Sequence, residues 1–370
     1  MTGAPWSAAR SVLCVRLDSL GDVLMCTPAI RAIKQSRPGR CVTLLTSPIG
    51  AAAAPFIPEI DAVLAYPAPW MKSSAAHLPA VDMAFIDTLA SRRFDAVAIF
   101  TSYSQSALPA ALMCYLAGIP LRLAHCRENP YQLLSDWVPD PEPDAMVKHE
   151  VRRQLDLVAT VGYTAASAGL SFTVRETDLE SVAGKLAALG IIAGRQWILL
   201  HPGASAPSRR YPPEQWSAVI RDLAARTGLP MVLSGAASEQ PLIDTIIRES
   251  GGAALSLAGL LDLGELGAAI KMASLFICNN TGPAHLAAAV GTPLVDLYAL
   301  TNPQHTPWHV ECHVLFHDVP CRFCQQSVCP QGHNDCLKGI APGRVVDAAC
   351  GLLARSARTA LRNMLSRPAR

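Results

Sequence analysis

The chain has 370 residues, of which 51% are hydrophobic and 16% charged, and its formal net charge is +2. This length accommodates one large domain or two domains of ordinary size with separate cores. The small net charge gives no argument for nucleic-acid binding, and no apolar run reaches the roughly 18 residues needed to span a bilayer. Since the N-terminus lacks a basic flank followed by an apolar signal core, we expect a soluble, cytoplasmic protein.

The first half of the chain alternates strand-like and helix-like segments. Such alternation favours a parallel sheet with crossover helices, and hence the α/β class. Strands are predicted at 12–17, 42–46, 62–66 and 96–101, and helices at 21–36, 108–117 and 152–161.

After a helix predicted at 179–189, the pattern starts again, which places a domain boundary near residues 170–192. Two βα series of this kind direct the carboxyl ends of their strands, and so their ligand loops, toward a shared cleft. The second series has strands at 197–200, 231–233, 275–278 and 294–298, and helices at 214–226, 240–249 and 283–290.

The first loop, residues 16–23, joins a predicted strand to a predicted helix. Asp22 falls at the start of that helix, where free N–H groups and the helix dipole favour a carboxylate. It either only caps the helix or accepts a proton from an acceptor hydroxyl, and Asp18 is a second candidate for that base. Gly21 is expected to permit a tight turn, and Arg16 is either solvated or clamps an anion.

The second loop, residues 201–212, is rich in Pro, Gly and Ser and leads into a helix. Backbone amides, serine hydroxyls and the rigid donor fork of Arg209 suit the oxygens of a diphosphate. The alternative is a solvent loop whose arginines are only hydrated. The loop lacks the glycine spacing of a P-loop or a dinucleotide fingerprint, which argues against ATP hydrolysis and hydride transfer.

The third loop, residues 278–285, runs from a strand directly into an alanine-rich helix. Thr281 is the predicted N-cap, Gly282 keeps the backbone open, and Pro283 suits the first helical position. The free N–H groups of such a helix start bind phosphate readily. His285, in the first turn, either donates to a phosphate oxygen or packs under the loop as a satisfied histidine.

Together, the motifs of these loops resemble glycosyltransferase family 9, the family of ADP-heptose-dependent lipopolysaccharide heptosyltransferases. The resemblance extends from residue 12 to about residue 346. It implies a GT-B fold, in which two Rossmann-like domains face a cleft: an acceptor domain at 1–180 and a nucleotide-sugar domain at 181–345. The motifs that carry it are Gly21-Asp22-Val23-Leu24, His201-Pro202-Gly203-Ala204, Arg209-Arg210-Tyr211-Pro212, Ser234-Gly235 with Glu239, and Asn280-Thr281-Gly282-Pro283-Ala284-His285.

The resemblance also implies an activity and a role for each matching residue. The chain is expected to be an enzyme that moves a heptose from ADP-heptose to an acceptor hydroxyl, with inversion and without a cofactor in catalysis. Asp22 matches the general base of the family. The residues implied in donor binding are Ser205 and Arg209 at the diphosphate, Glu239 at the ribose, and Asn280, Thr281, Gly282 and His285 around the helix start.

Two residues depart from the family's pattern, and they leave alternatives open. Asn280 stands where the family has Asp, and Tyr211 replaces a common Trp. An amide oxygen still accepts a hydrogen bond, but the carboxylate is lost. A non-catalytic sugar-nucleotide binding protein is therefore an alternative function for this chain. A glycosyltransferase with another donor, acting on a glycan, glycolipid, protein or small molecule, is also open. An epimerase would need a nicotinamide-binding G-x-G-x-x-G loop, which the sequence lacks.

Four of the twelve cysteines lie within a short segment, at Cys321, Cys324, Cys329 and Cys336. Four thiolates this close can bind a tetrahedral zinc or iron ion. Such an ion is expected to hold the loop together and to take no part in the reaction. Alternatively, the four cysteines stay reduced and pack within a loop, or they form disulfides under some conditions only. Similar clusters occur near the C-terminus of many family 9 members. Most of the other eight are expected to be small buried hydrophobes rather than a disulfide framework.

The end of the chain, residues 346–370, is a predicted basic helix. We expect it either to pack an apolar face on the protein or to contact an anionic membrane surface, at the inner face of the membrane, or a phosphorylated acceptor. Its arginines are Arg355, Arg358, Arg362, Arg367 and Arg370.

Overall fold

The computed structural model describes residues 5–72, 78–192 and 194–365, and the chain divides into two compact units, Met1–Thr173 and Val174–Arg370. Each unit contains one six-stranded sheet whose paired strands all run parallel. The α/β class and the pair of Rossmann-like units expected from the sequence are therefore confirmed.

The sheet of the first unit has the strand order β3-β2-β1-β4-β5-β6, so the order reverses between β1 and β4. The central strand β1 is buried along nearly its whole length because helices cover both faces of a parallel sheet, which explains its unbroken apolar run. The strands are β1 (Ser11–Arg16), β2 (Cys41–Thr46), β3 (Ala62–Ala65), β4 (Ala96–Ile99), β5 (Leu121–Cys126) and β6 (Asp136–Pro139).

The helices of the first unit connect these strands and close its core. Pro28 lies inside α1 without ending it, so α1 is one continuous helix. The pattern missed β5, β6 and α3. The strand β6 is short and half-exposed, and Leu89 is the buried residue of α3. The helices are α1 (Leu20–Gln35), α2 (Pro48–Ala51), α3 (Pro79–Ser91), α4 (Leu108–Leu116) and α5 (Glu150–Ala159).

The second unit repeats the arrangement, with the strand order β12-β11-β10-β7-β8-β9 and a reversal between β7 and β10. Its strands β7, β10 and β11 are almost wholly buried. The strands are β7 (Ile198–His201), β8 (Met231–Leu233), β9 (Leu255–Ser256), β10 (Leu275–Asn279), β11 (Leu294–Leu297) and β12 (Cys312–Leu315).

The helices of the second unit form its outer layers. Glycines with positive φ lie at the C-caps of α7 and α10, at Gly228 and Gly291, where a left-handed residue ends a helix without strain. The helices are α6 (Glu176–Ala188), α7 (Pro213–Thr227), α8 (Gln240–Glu249), α9 (Leu263–Met272), α10 (Gly282–Val290), α11 (Asp335–Lys338) and α12 (Pro342–Leu365).

The basic helix at the end of the chain is part of the core of the second unit over its first half. Val345, Val346 and Leu352 of α12 are buried in the hydrophobic core that also contains Trp216. Arg355 forms an ion pair with Glu311. The side chain of Arg362 is not among those described, and Arg367 and Arg370 lie outside the described residues. None of the helices in the described ranges is both long and apolar enough to cross a membrane.

All twelve cysteines are free in the structure. Five of the eight scattered cysteines are buried as expected, whereas Cys41 is exposed and Cys312 and Cys350 are half-buried.

Candidate functional site

The first unit carries a cluster of three carboxylates around one guanidinium at the carboxyl end of β1. Arg16 is 1% exposed, and its Nε, Nη2 and Nη1 atoms lie 2.8 Å from Asp18, 3.2 Å from Asp22 and 2.5 Å from Glu150, respectively. Both readings of Arg16 from the sequence, a solvated residue or a clamp for a bound anion, are therefore wrong. Each of the three guanidinium nitrogens contacts one of the protein's own carboxylates.

Asp22 also caps its helix. Its Oδ2 atom accepts hydrogen bonds from the backbone N–H of Ser19, at 3.2 Å, and from the Ser19 hydroxyl, at 2.7 Å. Asp22 is 16% exposed, so part of the carboxylate stays accessible. Gly21 lies in the first turn of α1 and has no positive φ, so the tight-turn role expected for it is wrong.

Asp18, the second candidate for a base, lies in a different environment. Burial raises the pKa of Asp18, the guanidinium of Arg16 opposes that rise, and the charge of Asp22 adds to it. The Gln105 side-chain amide donates to Asp18 Oδ1 at 2.6 Å. Asp18 is thus held by two neighbours and favours its protonated form more than an exposed aspartate does.

The sequence reasoning missed Glu150. This residue is the first of α5 and is completely buried, where it accepts from Arg16 and, at 2.9 Å, from Gln154. A carboxylate that lies 134 residues from its arginine partner leaves no mark in local spacing. The only available signal was an acidic residue in the first turn of an amphipathic helix, which ordinarily indicates a cap.

In the second unit, the loops that follow β7 and β10 lie at the point where the strand order reverses, the usual ligand position in such sheets, and β8 is the next strand beyond β7. The Glu239 carboxylate packs so closely on Gly203 that a Cβ atom there would lie 2.1 Å from Glu239 Oε1. Glu239 also accepts from Ala236 N at 2.8 Å. Two motifs more than thirty residues apart in sequence therefore meet at this position.

His201 lies in the same corner. Burial lowers the pKa of His201, and the nearby Glu239 carboxylate partly offsets this effect. Its Nδ1 atom lies 3.1 Å from the hydroxyl of Ser234. The His-Pro-Gly and Ser-Gly motifs are thus held together by a side-chain hydrogen bond at the ends of two neighbouring strands.

Two asparagines at the end of β10 hold the surrounding loops. Asn279 donates to Pro202 O at 2.7 Å and accepts from Tyr211 N at 3.2 Å, so it fixes the second loop. Asn280 accepts from Ala299 N at 3.0 Å and donates to Ala299 O at 3.4 Å. A carboxylate at position 280 has no N–H to donate to that carbonyl, which gives the departure from Asp a structural reason.

The start of α10 matches the sequence expectation in position but differs in detail. Thr281 is the N-cap residue, Gly282 is the first helical residue and Pro283 the second. The Thr281 side chain makes no cap hydrogen bond and instead lies 3.4 Å from Asn279 O, so it does not occupy the amide end of the helix. His285 is buried in the first turn, at 6% exposure.

The arginine and serines of the second loop lie at different depths. Ser205 is exposed, whereas Arg209 is half-buried and donates to Asn302 Oδ1 at 3.2 Å.

Asp296 of β11 is completely buried, and neither of its carboxylate oxygens has a hydrogen-bond partner within the described ranges. Burial raises the pKa of Asp296 to about 8, and the charge of Arg209 opposes the rise.

The four clustered cysteines line a common cavity of about 20 Å³ with His333 and Ser208. Across the described part of the chain, however, no three His, Cys, Asp or Glu side chains are grouped so as to hold a metal ion. Ser208 joins this segment to the second loop, because its N–H donates to Ser327 O at 3.0 Å and its hydroxyl to Gln326 O at 2.8 Å.

The electrostatic surroundings of Cys329 favour a thiolate. Burial raises the pKa of its thiol, but backbone N–H groups of residues 331–334 outweigh that effect and lower it. Backbone N–H donors of this kind stabilise a charged sulfur, the form in which cysteine binds metals.

Two parallel-sheet units, each with a reversal of strand order at its centre, define a class of two-domain α/β proteins that bind ligands at such switch points. The family model for glycosyltransferase family 9 (heptosyltransferase) matches residues 83–334, more than half of the chain. The chain therefore belongs to glycosyltransferase family 9.

Curated relatives agree with this assignment. The chain is 30% identical over 169 residues to lipooligosaccharide heptosyltransferase 2 of Campylobacter jejuni, covering 44% of this chain and 53% of the relative. It thus spans about half the length of that relative. With lipopolysaccharide heptosyltransferase 3 of Escherichia coli K12, the identity is 27% over 299 residues, or 78% of this chain and 81% of the relative.

Solved structures share the fold over almost the whole chain. A family 9 glycosyltransferase from Veillonella parvula has a TM-score of 0.75 at 18% identity, covering 94% of this chain and 97% of that one. The ADP-heptose heptosyltransferase II of E. coli has a TM-score of 0.72 at 21% identity, covering 94% and 99%. An iron-containing dodecameric glycosyltransferase of enterotoxigenic E. coli has a TM-score of 0.52 at 14% identity, covering 94% and 77%. These likenesses confirm the expected GT-B fold.

Proposed function

We propose that this chain transfers a heptose from ADP-heptose to an acceptor hydroxyl in the biosynthesis of a lipopolysaccharide-type glycan. The observation that carries the proposal is the convergence of Gly203, Glu239 and the start of α10 on one switch point, in a chain of family 9. The relative from E. coli K12 that aligns over most of both chains is a lipopolysaccharide heptosyltransferase, which supports the choice of sugar.

The donor side supplies charge stabilisation. As the bond between the sugar and the diphosphate breaks, negative charge grows on the leaving oxygen. The Arg209 guanidinium and the N-terminus of α10 are the groups suited to that charge, with Ser205 as a further hydroxyl donor. The Glu239 carboxylate is the acceptor suited to ribose hydroxyls, because the absence of a side chain at Gly203 leaves it room.

The acceptor side supplies a base, for which we propose Asp22. In one displacement, the acceptor oxygen bonds to the anomeric carbon while the bond to the diphosphate breaks on the opposite face. The proton of the acceptor hydroxyl passes to Asp22, and the configuration at carbon inverts. Asp18 is less suited because burial raises its pKa and Gln105 already donates to it.

The alternative of a non-catalytic binding protein loses its main argument. That alternative rested on the replacement of a family aspartate by Asn280, which removes a carboxylate. Both ends of the Asn280 amide are used in hydrogen bonds to Ala299. Since Asn280 has this structural task, its presence does not indicate a disabled active site.

The test is a pair of measurements on the purified full chain. Calorimetric titration with ADP, GDP and UDP is expected to show preferential binding of ADP. Incubation with ADP-heptose is then expected to release ADP by slow hydrolysis, and faster when an acceptor is added. Binding of ADP without any turnover of ADP-heptose, with or without acceptor glycans, would support the binding protein instead.

A second proposal concerns the four cysteines, which we propose bind one zinc or iron ion. The four sulfurs line one cavity, the pKa of the Cys329 thiol is lowered, and thiolates are the ligands that these ions prefer. Because no three of these side chains are grouped to hold an ion in the described structure, binding requires the sulfurs to move closer together. When bound, the ion would hold residues 321–336 together, and Ser208 links that segment to the donor loop. One relative in structure contains iron.

Metal analysis of the purified chain tests this proposal. We expect about one zinc or iron ion per chain, lost in the variant Cys324→Ser, together with weaker ADP binding in the metal-free protein. The variant Cys350→Ser, which changes a cysteine outside the cluster, is the control and should keep the ion. Absence of stoichiometric zinc and iron from the unmodified chain would end the proposal.

The remaining proposals concern location. We propose that the enzyme acts in the cytoplasm, with peripheral membrane contact through the end of α12. Arg355 is engaged by Glu311, so any such contact depends on Arg358, which is exposed, and on the residues after it. Sedimentation with anionic vesicles, lost after Arg358→Glu but not after Arg226→Glu, would support the contact.

A further inference from the structure

Asp296 is a buried carboxyl group for which the proposed transfer has no use so far. It lies on β11 between Val295 and Leu297, which belong to the hydrophobic core of the second unit. Because successive side chains of a strand point to opposite faces, Asp296 projects from the other face of the sheet, where it is completely buried. Neither of its oxygens has a hydrogen-bond partner in the described parts of the chain.

A carboxyl group in this setting is costly for stability. Burying a polar group without a hydrogen bond costs free energy, and an apolar residue of similar size often serves such a position better. The other residues of β11 are Leu294, Val295 and Leu297, so a valine at position 296 would continue the apolar strand. A carboxyl group that breaks this pattern indicates a function, since buried groups perturbed in this way concentrate at functional sites.

The charge that acts on Asp296 is that of Arg209. This guanidinium opposes the effect of burial, which raises the pKa of the carboxyl group to about 8. The Nε atom of Arg209 is also buried, and it too is without a hydrogen-bond partner within the described ranges. An unsatisfied donor on a cation therefore lies within electrostatic reach of two unsatisfied acceptor oxygens.

Arg209 is held at another nitrogen by the loop that follows β11. Its Nη2 atom donates to Asn302 Oδ1 at 3.2 Å, and Asn302 O accepts from the Tyr298 hydroxyl at 2.5 Å. Since Tyr298 comes two residues after Asp296, one short segment carries both the carboxyl group and the anchor of Nη2. Two contacts from this segment can fix a side chain that is otherwise long and flexible.

We infer that Asp296 is a positioning residue, whose carboxyl oxygen accepts a hydrogen bond from Arg209 Nε when a nucleoside diphosphate binds. With Nε held by Asp296 and Nη2 by Asn302, the remaining N–H groups of the guanidinium are left for phosphate oxygens. Holding the arginine in this way reduces the ordering cost of binding. The inference rests on the proposed role of Arg209 at the donor diphosphate, and it adds a residue that does not itself touch the donor.

Calorimetric titration of the full chain with ADP, and with adenosine at millimolar concentration, tests this role. Asp296→Val removes the acceptor, and we expect it to raise the Kd for ADP about tenfold, as the loss of a charge-assisted hydrogen bond would. Adenosine has no phosphate, so its affinity should not change. Asp296→Asn keeps an acceptor oxygen and should hold the Kd for ADP within about threefold of the unmodified value.

Two further substitutions separate positioning from a general effect on the fold. Val295→Ala alters the same strand on its core face, so it should lower stability and leave the Kd for ADP unchanged. In an Arg209→Met background, Asp296→Val should have no further effect on ADP, because Asp296 acts through that arginine. A thermal melt verifies that each variant is folded.

Several results would overturn the inference. An unchanged Kd for ADP in folded Asp296→Val would show that the carboxyl group has no part in binding, and equal weakening of ADP and adenosine would indicate a distorted site. An Asp296→Asn variant as weak as Asp296→Val would exclude the acceptor oxygen as the cause. The full effect of Asp296→Val in the Arg209→Met background would exclude Arg209 as the residue through which it acts.

The same variants give a test without any nucleotide. Urea denaturation of the unmodified chain, the two single variants and the double variant measures the coupling between Arg209 and Asp296. We expect non-additive changes in the free energy of unfolding, because the charge of Arg209 acts on Asp296, and strict additivity would overturn the inference. ADP binding that is unaffected by Asp296→Val would refute the positioning role alone. Failure of the unmodified chain to bind ADP, GDP or UDP would instead refute the proposed donor site on which the inference rests.

Discussion

Arg16 donates a hydrogen bond from Nη2 to Oδ1 of Asp22 at 3.2 Å, while its other nitrogens hold Asp18 and Glu150. The guanidinium fixes the orientation of the Asp22 carboxylate, and the same cation also contacts the carboxylates of Asp18 and Glu150. A carboxylate held in this way is oriented, as a general base must be.

The first prediction concerns that base. Asp22→Asn should lower kcat by at least a factor of about 100, because proton transfer to a positioned side chain contributes typically 10²–10⁴-fold. ADP affinity should stay within about threefold, since Asp22 belongs to the first unit and the donor residues to the second. Steady-state kinetics and calorimetry measure the two effects. Asp156→Asn, which alters a surface ion pair of the same unit, is the control, and near-normal kcat in Asp22→Asn would exclude the assignment.

The second prediction concerns Arg16, which contacts all three carboxylates of the cluster. Arg16→Met removes the guanidinium that contacts all three carboxylates of this cluster, one of which, Glu150, is completely buried. Breaking a buried pair in this way costs about 3–5 kcal/mol, because it leaves a buried charge uncompensated. Urea denaturation should show this loss, and the double variant Arg16→Met/Glu150→Met should recover part of it.

The matched control for that experiment is Arg152→Met. Arg152 is 65% exposed and forms an ion pair with Asp156 one turn away, so its removal should cost less than about 1 kcal/mol. Equal destabilisation by the two substitutions would contradict the view that the Arg16 cluster is held together by this guanidinium.

The third prediction uses the close approach of Glu239 to Gly203. A Cβ atom at position 203 would lie 2.1 Å from Glu239 Oε1, so Gly203→Ala must displace that carboxylate. If Glu239 holds the donor ribose, the KM for donor should rise about tenfold or more, with a smaller change in kcat, because uniform binding is lost. A donor KM equal to that of the unmodified enzyme would remove Glu239 from the donor site.

Gly184→Ala is the control for that substitution. Gly184 lies within α6, and a Cβ there meets nothing within 4 Å. Alanine in a helix interior is favoured over glycine by roughly 0.5–1 kcal/mol, so this variant should be slightly more stable and kinetically unchanged.

Much of the architecture was predictable from the sequence because strands buried on both faces form unbroken apolar runs. The runs that became β1, β7 and β10 are of this kind, and each leads into a loop with glycine, proline or aspartate at fixed spacing. By contrast, β6 alternates between half-buried and exposed residues at the edge of its sheet and gave little signal.

The site was less predictable because its key contacts are long-range. Asp22 and Glu239 were located through the motifs that contain them, yet their partners were not. Glu150 is 134 residues from Arg16, and the packing of Glu239 on Gly203 joins separate motifs. The role of Asn280 also depended on Ala299, which only the pairing of β10 with β11 brings near.

The last prediction concerns His125 and the stability of the first unit at acid pH. The pKa of His125 is lowered from its ordinary value of 6.5 to about 4, chiefly by burial. The unfolded chain therefore binds more protons than the folded one between these values. The contribution of the neutral His125 ring to the free energy of unfolding is fully present above pH 6.5 and is lost as the pH falls toward 4. For a shift of this size the loss amounts to about 3 kcal/mol.

The variant H125Q isolates this effect, because glutamine does not titrate while every other acid-sensitive group is kept. Urea denaturation between pH 7.5 and pH 4, followed by a probe of the first unit, gives the free energy of unfolding of both proteins. The stability of the unmodified chain should fall more steeply with decreasing pH, and the gap should open below pH 6.5, as the sign of the pKa shift requires. Parallel curves would mean that the His125 ring is hydrated and accessible to protons in the folded protein.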